Sequence, residues 1–165
     1  MNLATEGVVW VQGIAVPVER TGADRAVARI SRNPGHLVVG GRRKQDALAA
    51  IDRWYRREAR KRIEPVVSVE ADRLGLHPEK ISVRAQRTRW GSCSTSGTLS
   101  FNWRLVLGEP EALRYVVIHE LVHIEHHNHS RRFWNALSEA MPEWKTWAAW
   151  LRANERALLT YRPKI

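Results

Sequence analysis

The chain has 165 residues, 44% hydrophobic and 27% charged, an ordinary globular balance that argues against disorder and against insertion into a membrane. A chain of this length buries one core without staples, so a single domain over residues 1–165 is expected and two independent enzymatic domains are not. Lys and Arg number 27 against 17 Asp and Glu, giving a net charge of +10, a field that admits nucleic acid or another polyanion as a partner.

The first residues carry no Lys or Arg ahead of the short apolar stretch at 8–11, so no secretory signal is expected. Cys93 is the one cysteine; it can neither close an internal disulfide nor build a multi-cysteine metal cage, which suits a reducing cytoplasm and leaves any metal to His and carboxylate ligands. Residues 8–18 are β-branched and apolar around Gly13. Residues 25–30 and 36–39 continue as short strands broken at Asn33-Pro34-Gly35, so a small antiparallel sheet is predicted. Beyond Gly40-Gly41, residues 43–63 have helical periodicity, and Pro65 is expected to open a second helix that stops at Leu74-Gly75-Leu76-His77-Pro78. In the first of these helices Ala47, Ala50, Ile51, Trp54 and Tyr55 form an apolar side. Arg53, Arg56, Arg57, Arg60 and Lys61 form the other, a solvated face first and a polyanion face second.

Residues 81–85 alternate apolar and polar, and residues 89–94 and 98–102 flank Ser96-Gly97 as a hairpin, so the sheet is expected to resume. A helix is predicted from about Glu111 to His127, then a break at Asn128 and two helical segments either side of Met141-Pro142, with Trp134, Trp144, Trp147 and Trp150 free to pack. His36 and His77 read as ordinary surface residues.

The last long helix contains His119-Glu120-Leu121-Val122-His123, a HExxH sequence set among Val116, Val117, Ile118 and Ile124. Residues four apart share a helix face one turn apart, so both imidazoles can point at one cation while Glu120 reaches water activated there. Two structural histidines could also occupy such a helix, but three ionisable groups in an apolar stretch need a cation or partner to offset their desolvation. A catalytic zinc takes a third protein ligand and keeps a fourth position open; the candidates are His126, His127 and His129, or Glu139 and Glu143. On a helix running through His127, that residue rises roughly 6 Å beyond His123, and His126 little less, which carries both away from the cation. His129 follows Asn128, a residue that tolerates the left-handed conformation and can turn the chain back, so His129 is the expected third ligand. The ligand spacing equals that of the metzincin signature, but His126 stands where that signature has Gly, and Met141-Pro142 is a weak match to its Met-turn.

Arg89-Trp90-Gly91-Ser92-Cys93-Ser94, Phe101-Asn102-Trp103-Arg104-Leu105, the run from Tyr115 to His123, and Asn128-His129-Ser130 through Phe133-Trp134 together resemble the YgjP-like metallopeptidases, relatives of the SprT-like zincins. These segments lie between residues 89 and 134, in the expected order. The resemblance implies an α+β fold, a compact zincin-like domain with a small antiparallel or mixed sheet packed against the active-site helix and further helices. It implies His119, His123 and His129 as metal ligands and Glu120 as catalytic base.

For the Trp90–Cys93 region, core packing is the first reading and pairing of the hairpin edge with an extended peptide the second; Cys93 as a redox-sensitive fourth ligand is a remote third. Arg89, Asn102, Arg104 and Tyr115 are each candidates either to meet a substrate oxygen or to make a structural hydrogen bond. The expected function is zinc-dependent hydrolysis of a peptide bond in a peptide or protein substrate, by a cytoplasmic enzyme without a membrane partner. Two alternatives stand beside it: a metal-dependent nucleotide phosphoanhydride hydrolase, and a basic nucleic-acid-associated protein with structural zinc. A structural site has no need of Glu120.

Overall fold

The computed structural model describes residues 3–31, 35–86 and 88–165. The turn expected at Asn33-Pro34-Gly35 lies outside them at its first two positions. Four strands, β1 (Val8–Val11), β2 (Ile14–Arg20), β3 (Ala28–Ile30) and β4 (Leu37–Val39), form a first sheet in the order β1-β2-β4-β3. β1 and β2 pair as a hairpin with Val11 opposite Ile14. Its two turn residues, Gln12 and Gly13, both have positive φ, 51° and 75°, as a tight hairpin between right-twisted strands requires. The chain then passes out through β3 and returns with β4 between β2 and β3, parallel to β2 and antiparallel to β3. The sheet is therefore mixed rather than wholly antiparallel.

A single helix, α1 (Lys44–Leu74), replaces the two that Pro65 led one to expect. Its buried stripe of Ala47, Ala50, Ile51, Trp54, Tyr55, Ala59, Ile63, Val67 and Ala71 runs unbroken past the proline, at the spacing of three and four that keeps one face on the core. Pro65 itself is exposed, so its ring displaces no core side chain; its cost is one missing backbone donor and crowding of the carbonyl four residues back. Gly75, at φ 67°, ends the helix with its N–H returned to the Ala71 and Asp72 carbonyls.

The later strands, β5 (Lys80–Arg84), β6 (Gly91–Cys93) and β7 (Thr98–Asn102), form a separate second sheet in the order β5-β7-β6, with β6 at its edge. β6 and β7 make the expected hairpin, while β5 runs parallel to β7. A 3-10 helix, Trp103–Leu107, leads into α2 (Pro110–Val122), α3 (Arg131–Ala140) and α4 (Trp144–Leu159). The α+β class is as expected, with two small sheets in place of one that resumes.

The main core gathers Tyr55, Ile51 and Ile63 of α1, Leu99 and Phe101 of β7, Leu107, and Val117 and Leu121 of α2. A second core lies between α2 and α3: Ile118, Val122, Phe133, Leu137, Ala140 and Met141. Met141 is thus a packing residue. Polar ties close the frame. The buried Glu70 carboxylate accepts from Arg73 at 2.7 Å and Arg114 at 2.6 Å, and Arg73 also donates to the Ala140 carbonyl, so α1, α2 and the end of α3 share one charge cluster. Burial raises the Glu70 pKa, but the bonds from Arg114 and Arg73 outweigh it and hold the carboxyl below its usual value.

The basic side of α1 is largely engaged with the protein itself. Arg53 and Arg57 donate to the Ala26 and Ala28 carbonyls, stapling β3 to the helix, while Arg56 pairs with Asp52 and Arg60 with Glu64. No helix among the described residues is long and apolar enough to cross a membrane.

Because Pro65 is exposed within an otherwise regular helix, Pro65→Ala restores a backbone donor, and its net gain is ~1–2 kcal/mol after the greater freedom of the unfolded chain is subtracted. Urea or thermal unfolding should show that rise. A less stable variant would mean that the proline sets a bend on which the packing depends.

Candidate metal centre

α2 begins with Pro110 at its first position and carries the HExxH residues in its last turn. Its inward face, Val116, Val117, Ile118, Leu121 and Val122, is buried between the two cores, which fixes the direction of the residues between them. The helix stops at Val122, five residues before the expected end, with the His123 N–H still bonded to the His119 carbonyl. Past it the backbone bonds tighten to three-residue steps, Ile124 to Leu121 and Glu125 to Val122, and the His123 ring donates from Nδ1 to the His126 carbonyl at 2.8 Å, holding that carbonyl in the loop. Asn128 does not supply a left-handed turn; among the described residues Gln12 is the one non-glycine with positive φ. The chain instead swings round through residues 123–130 and brings His129 back.

The outcome is a convergence of three imidazoles. His129 Nε2 lies 3.1 Å from His119 Nε2 and 3.2 Å from His123 Nε2, and the three side chains offer donor atoms all within 4.8 Å of one another. Ligands at 2.0–2.1 Å around a tetrahedral ion sit ~3.3 Å apart, so the spacing suits a small cation. The donor chemistry suits it as well. Burial, then the neighbouring His123 and His129, push the His119 pKa down to about 3. Burial likewise lowers that of His123. Neutral imidazoles at neutral pH are the form in which histidine binds metal. The bond from His123 Nδ1–H to the His126 carbonyl fixes that ring's tautomer and leaves Nε2 with a lone pair.

The other candidates are elsewhere. His126 lines a separate cleft with Glu139, and Glu143 faces Arg114 at 3.5 Å. Cys93 Sγ, half-buried, donates to the adjacent Ser94 carbonyl and does not join the imidazoles.

Aromatic rings support the cluster from behind. Phe133 stacks on His123 at 4.4 Å, and Trp134 stacks on His129 at 5.4 Å, then on Trp144 at 5.0 Å. Ser138 accepts from Trp144 Nε1 and donates to the Trp134 carbonyl, locking that pair. From the sequence these tryptophans read as general packing; the position of Trp134, five residues after His129, was the available signal.

Glu120 lies on the other side of His119, 7% exposed. Burial raises its pKa to about 7, against the opposing charge of Arg89. Its carboxylate rests on Gly91 of β6, where a Cβ would stand 2.6 Å from Oε1 and 2.6 Å from Cγ. Gly91 is therefore the residue whose lack of a side chain lets Glu120 occupy this position, a role that the sequence reading of the Trp90–Cys93 region did not identify. A cleft of about 230 Å3 opens here, lined among others by Arg89, Trp90, Tyr115, His119 and Glu120. Tyr115, edge-on to His119 at 5.8 Å, keeps its proton because burial and the Glu120 charge raise its pKa. Tyr115 and Arg89 both line the cleft and both carry hydrogen-bond donors. Asn102 is structural: it is fully buried, donating to the Gln86 and Arg89 carbonyls and accepting from the Arg104 N–H. Arg104 faces away, over the Trp103 ring.

Two archaeal metallopeptidase zymogens share this fold. Pyrococcus abyssi abylysin matches with a TM-score of 0.50 and 23% identity, over 62% of this chain and 99% of its own. Methanocaldococcus jannaschii jannalysin matches with a TM-score of 0.50 and 23% identity, over 56% of this chain and 96% of its own. No curated protein sequence matches the chain. The model of the YgjP-like metallopeptidase domain family matches residues 1–154, a span that takes in both sheets, α1, the three converging histidines and Glu120. On that match the chain belongs to the YgjP-like metallopeptidase family.

Proposed function

We propose that this metallopeptidase is a zinc enzyme, one domain over residues 1–165, in which His119, His123 and His129 hold the ion and Glu120 is the general base. The observation that carries the reading is the meeting of three imidazole nitrogens beside a buried carboxylate at one end of a cleft. Zinc held there would supply Lewis acidity, lowering the pKa of water and polarising a carbonyl. Glu120, with a pKa near neutrality in its buried setting, suits both halves of the proton traffic: it takes the proton from the attacking water and returns it to the departing amine. Tyr115 and Arg89, which line the cleft, would stabilise the charge that develops on the carbonyl oxygen. The edge position of β6 supports an extended peptide as substrate, since an unpaired strand edge can hold a peptide main chain against the cleft. The single cysteine, free in the structure, suits a cytoplasmic setting. The engagement of Arg53, Arg56, Arg57 and Arg60 with the protein itself weighs against a nucleic-acid partner on that face.

Glu120→Gln should keep the metal and the fold while peptide hydrolysis falls by ~10²–10⁴-fold, because it removes a proton acceptor and no ligand. Peptides and nucleoside triphosphates should be assayed side by side with both proteins. Undiminished peptide turnover in the variant would exclude Glu120 as base, and turnover of triphosphates alone would exclude the peptidase assignment of the site. Gly91→Ala offers a second check, since its Cβ displaces the carboxylate by steric contact alone. A misplacement of about 1 Å can lower kcat by ~10²-fold, with zinc content unchanged; a fully active variant would show that Glu120 need not sit against β6.

His129→Ala should weaken zinc binding by more than ~100-fold, beyond what loss of a supporting group causes. His126→Ala and His127→Ala should leave the ion in place, as measured by competition with a chromogenic chelator. Release of zinc by Glu139→Ala or Glu143→Ala, with His129→Ala unaffected, would overturn the ligand set.

A further inference from the structure

A second cavity, of about 480 Å3, lies away from the metal centre, where α1, the 3-10 helix and the chain after α4 meet. Its volume is within the range of small-molecule sites, ~300–1,000 Å3. Tyr55, Trp103 and Tyr161 give it aromatic walls, each at most 4% exposed. Arg104 lines it as well, 8% exposed, and its guanidinium rests 4.6 Å above the Trp103 ring. Its Nε is buried and has no hydrogen-bond partner, and it takes part in no ion pair among the described residues. A guanidinium stays charged in any protein setting, and a buried cation without a partner is costly. The Trp103 face offsets part of that cost. Arg162, at the same cavity, is a second cation that adds to the cost, its own side chain donating to a backbone carbonyl. Among the described lining residues Asp52 is the one acid; its charge favours the Arg104 cation, but its carboxylate is paired with Arg56 at 2.9 Å and forms no ion pair with Arg104.

We propose that this cavity is a binding site for a small organic carboxylate with a flat apolar body, its carboxylate on Arg104 and its body against Tyr55, Trp103 and Tyr161. A planar carboxylate matches the fork of a guanidinium, and aromatic walls favour a ring over a bare inorganic anion. The site does not depend on the metal centre.

Calorimetric titration with 3-phenylpropionate, its neutral amide and inorganic phosphate, with and without EDTA, tests the proposal. The carboxylate should bind, and the amide and phosphate about tenfold more weakly or less, since a hydrogen bond to a charged group is worth roughly that factor. EDTA should leave the carboxylate's affinity unchanged. Arg104→Gln should reduce it at least about tenfold on the same ground. Leu48→Trp, which leaves Arg104 in place and fills the cavity from α1, should abolish binding and decides the matter if Arg104→Gln does not fold. No binding of 3-phenylpropionate, equal binding of the amide or of phosphate, loss of binding with EDTA, or full affinity in Leu48→Trp would each overturn the proposal.

Discussion

An apolar helix that must bury a carboxylate and two imidazoles sets the terms for everything around it. Glu120 is 7% exposed and His119 is half-buried, both on a helix whose remaining inward residues are Val, Ile and Leu. Unpaired charge in such a place costs several kcal/mol, so the groups are held neutral or close to it, as the pKa of about 3 at His119 and about 7 at Glu120 indicate. Neutral imidazoles then keep lone pairs for a cation, and a carboxylate near its midpoint can both accept and give a proton. The physics that makes the motif expensive also makes it useful.

The surrounding elements hold those groups at fixed distances. β6 approaches α2 closely because Gly91 has no side chain, and Asn102 clamps the Gln86 and Arg89 carbonyls that lead into β6. On the far side, Phe133 and Trp134 of α3 fix two imidazole planes, and Trp144 extends the stack to Tyr115 in the cleft, 6.5 Å away and near-parallel. Loss of α3 packing would therefore reach the centre through ring orientation, as supporting groups do around metal ligands. The 3-10 helix that follows Asn102 belongs to this frame and also forms the wall of the cavity at Arg104.

The convergence of His119, His123 and His129 was legible because it is local: a four-residue step on one helix and a short return. The reason first assigned to His129 was nevertheless wrong in detail, since the helix ends at Val122, the loop after it is tied by the His123–His126 contact, and no left-handed Asn128 is involved. Pro65 misled in the same way, because a local breaker signal lost to a buried stripe that continues on both sides of it. The pairing of β4 with β2 and the split into two sheets depend on contacts between distant segments, which periodicity does not encode. Arg53 and Arg57 read as a free basic face because their partners are backbone carbonyls of another element. Gly91 could have been read from the sequence only as a small residue; the proximity of Glu120 is what gives it meaning.

The central claim is that three imidazoles, and no carboxylate, hold one zinc ion beside Glu120. X-ray absorption at the zinc edge of the purified protein tests it most directly. The account predicts one zinc per chain with three imidazole nitrogens at ~2.0–2.1 Å and one further light ligand; a first shell with a protein carboxylate in place of an imidazole, or with sulfur from Cys93 at ~2.3 Å, would contradict it.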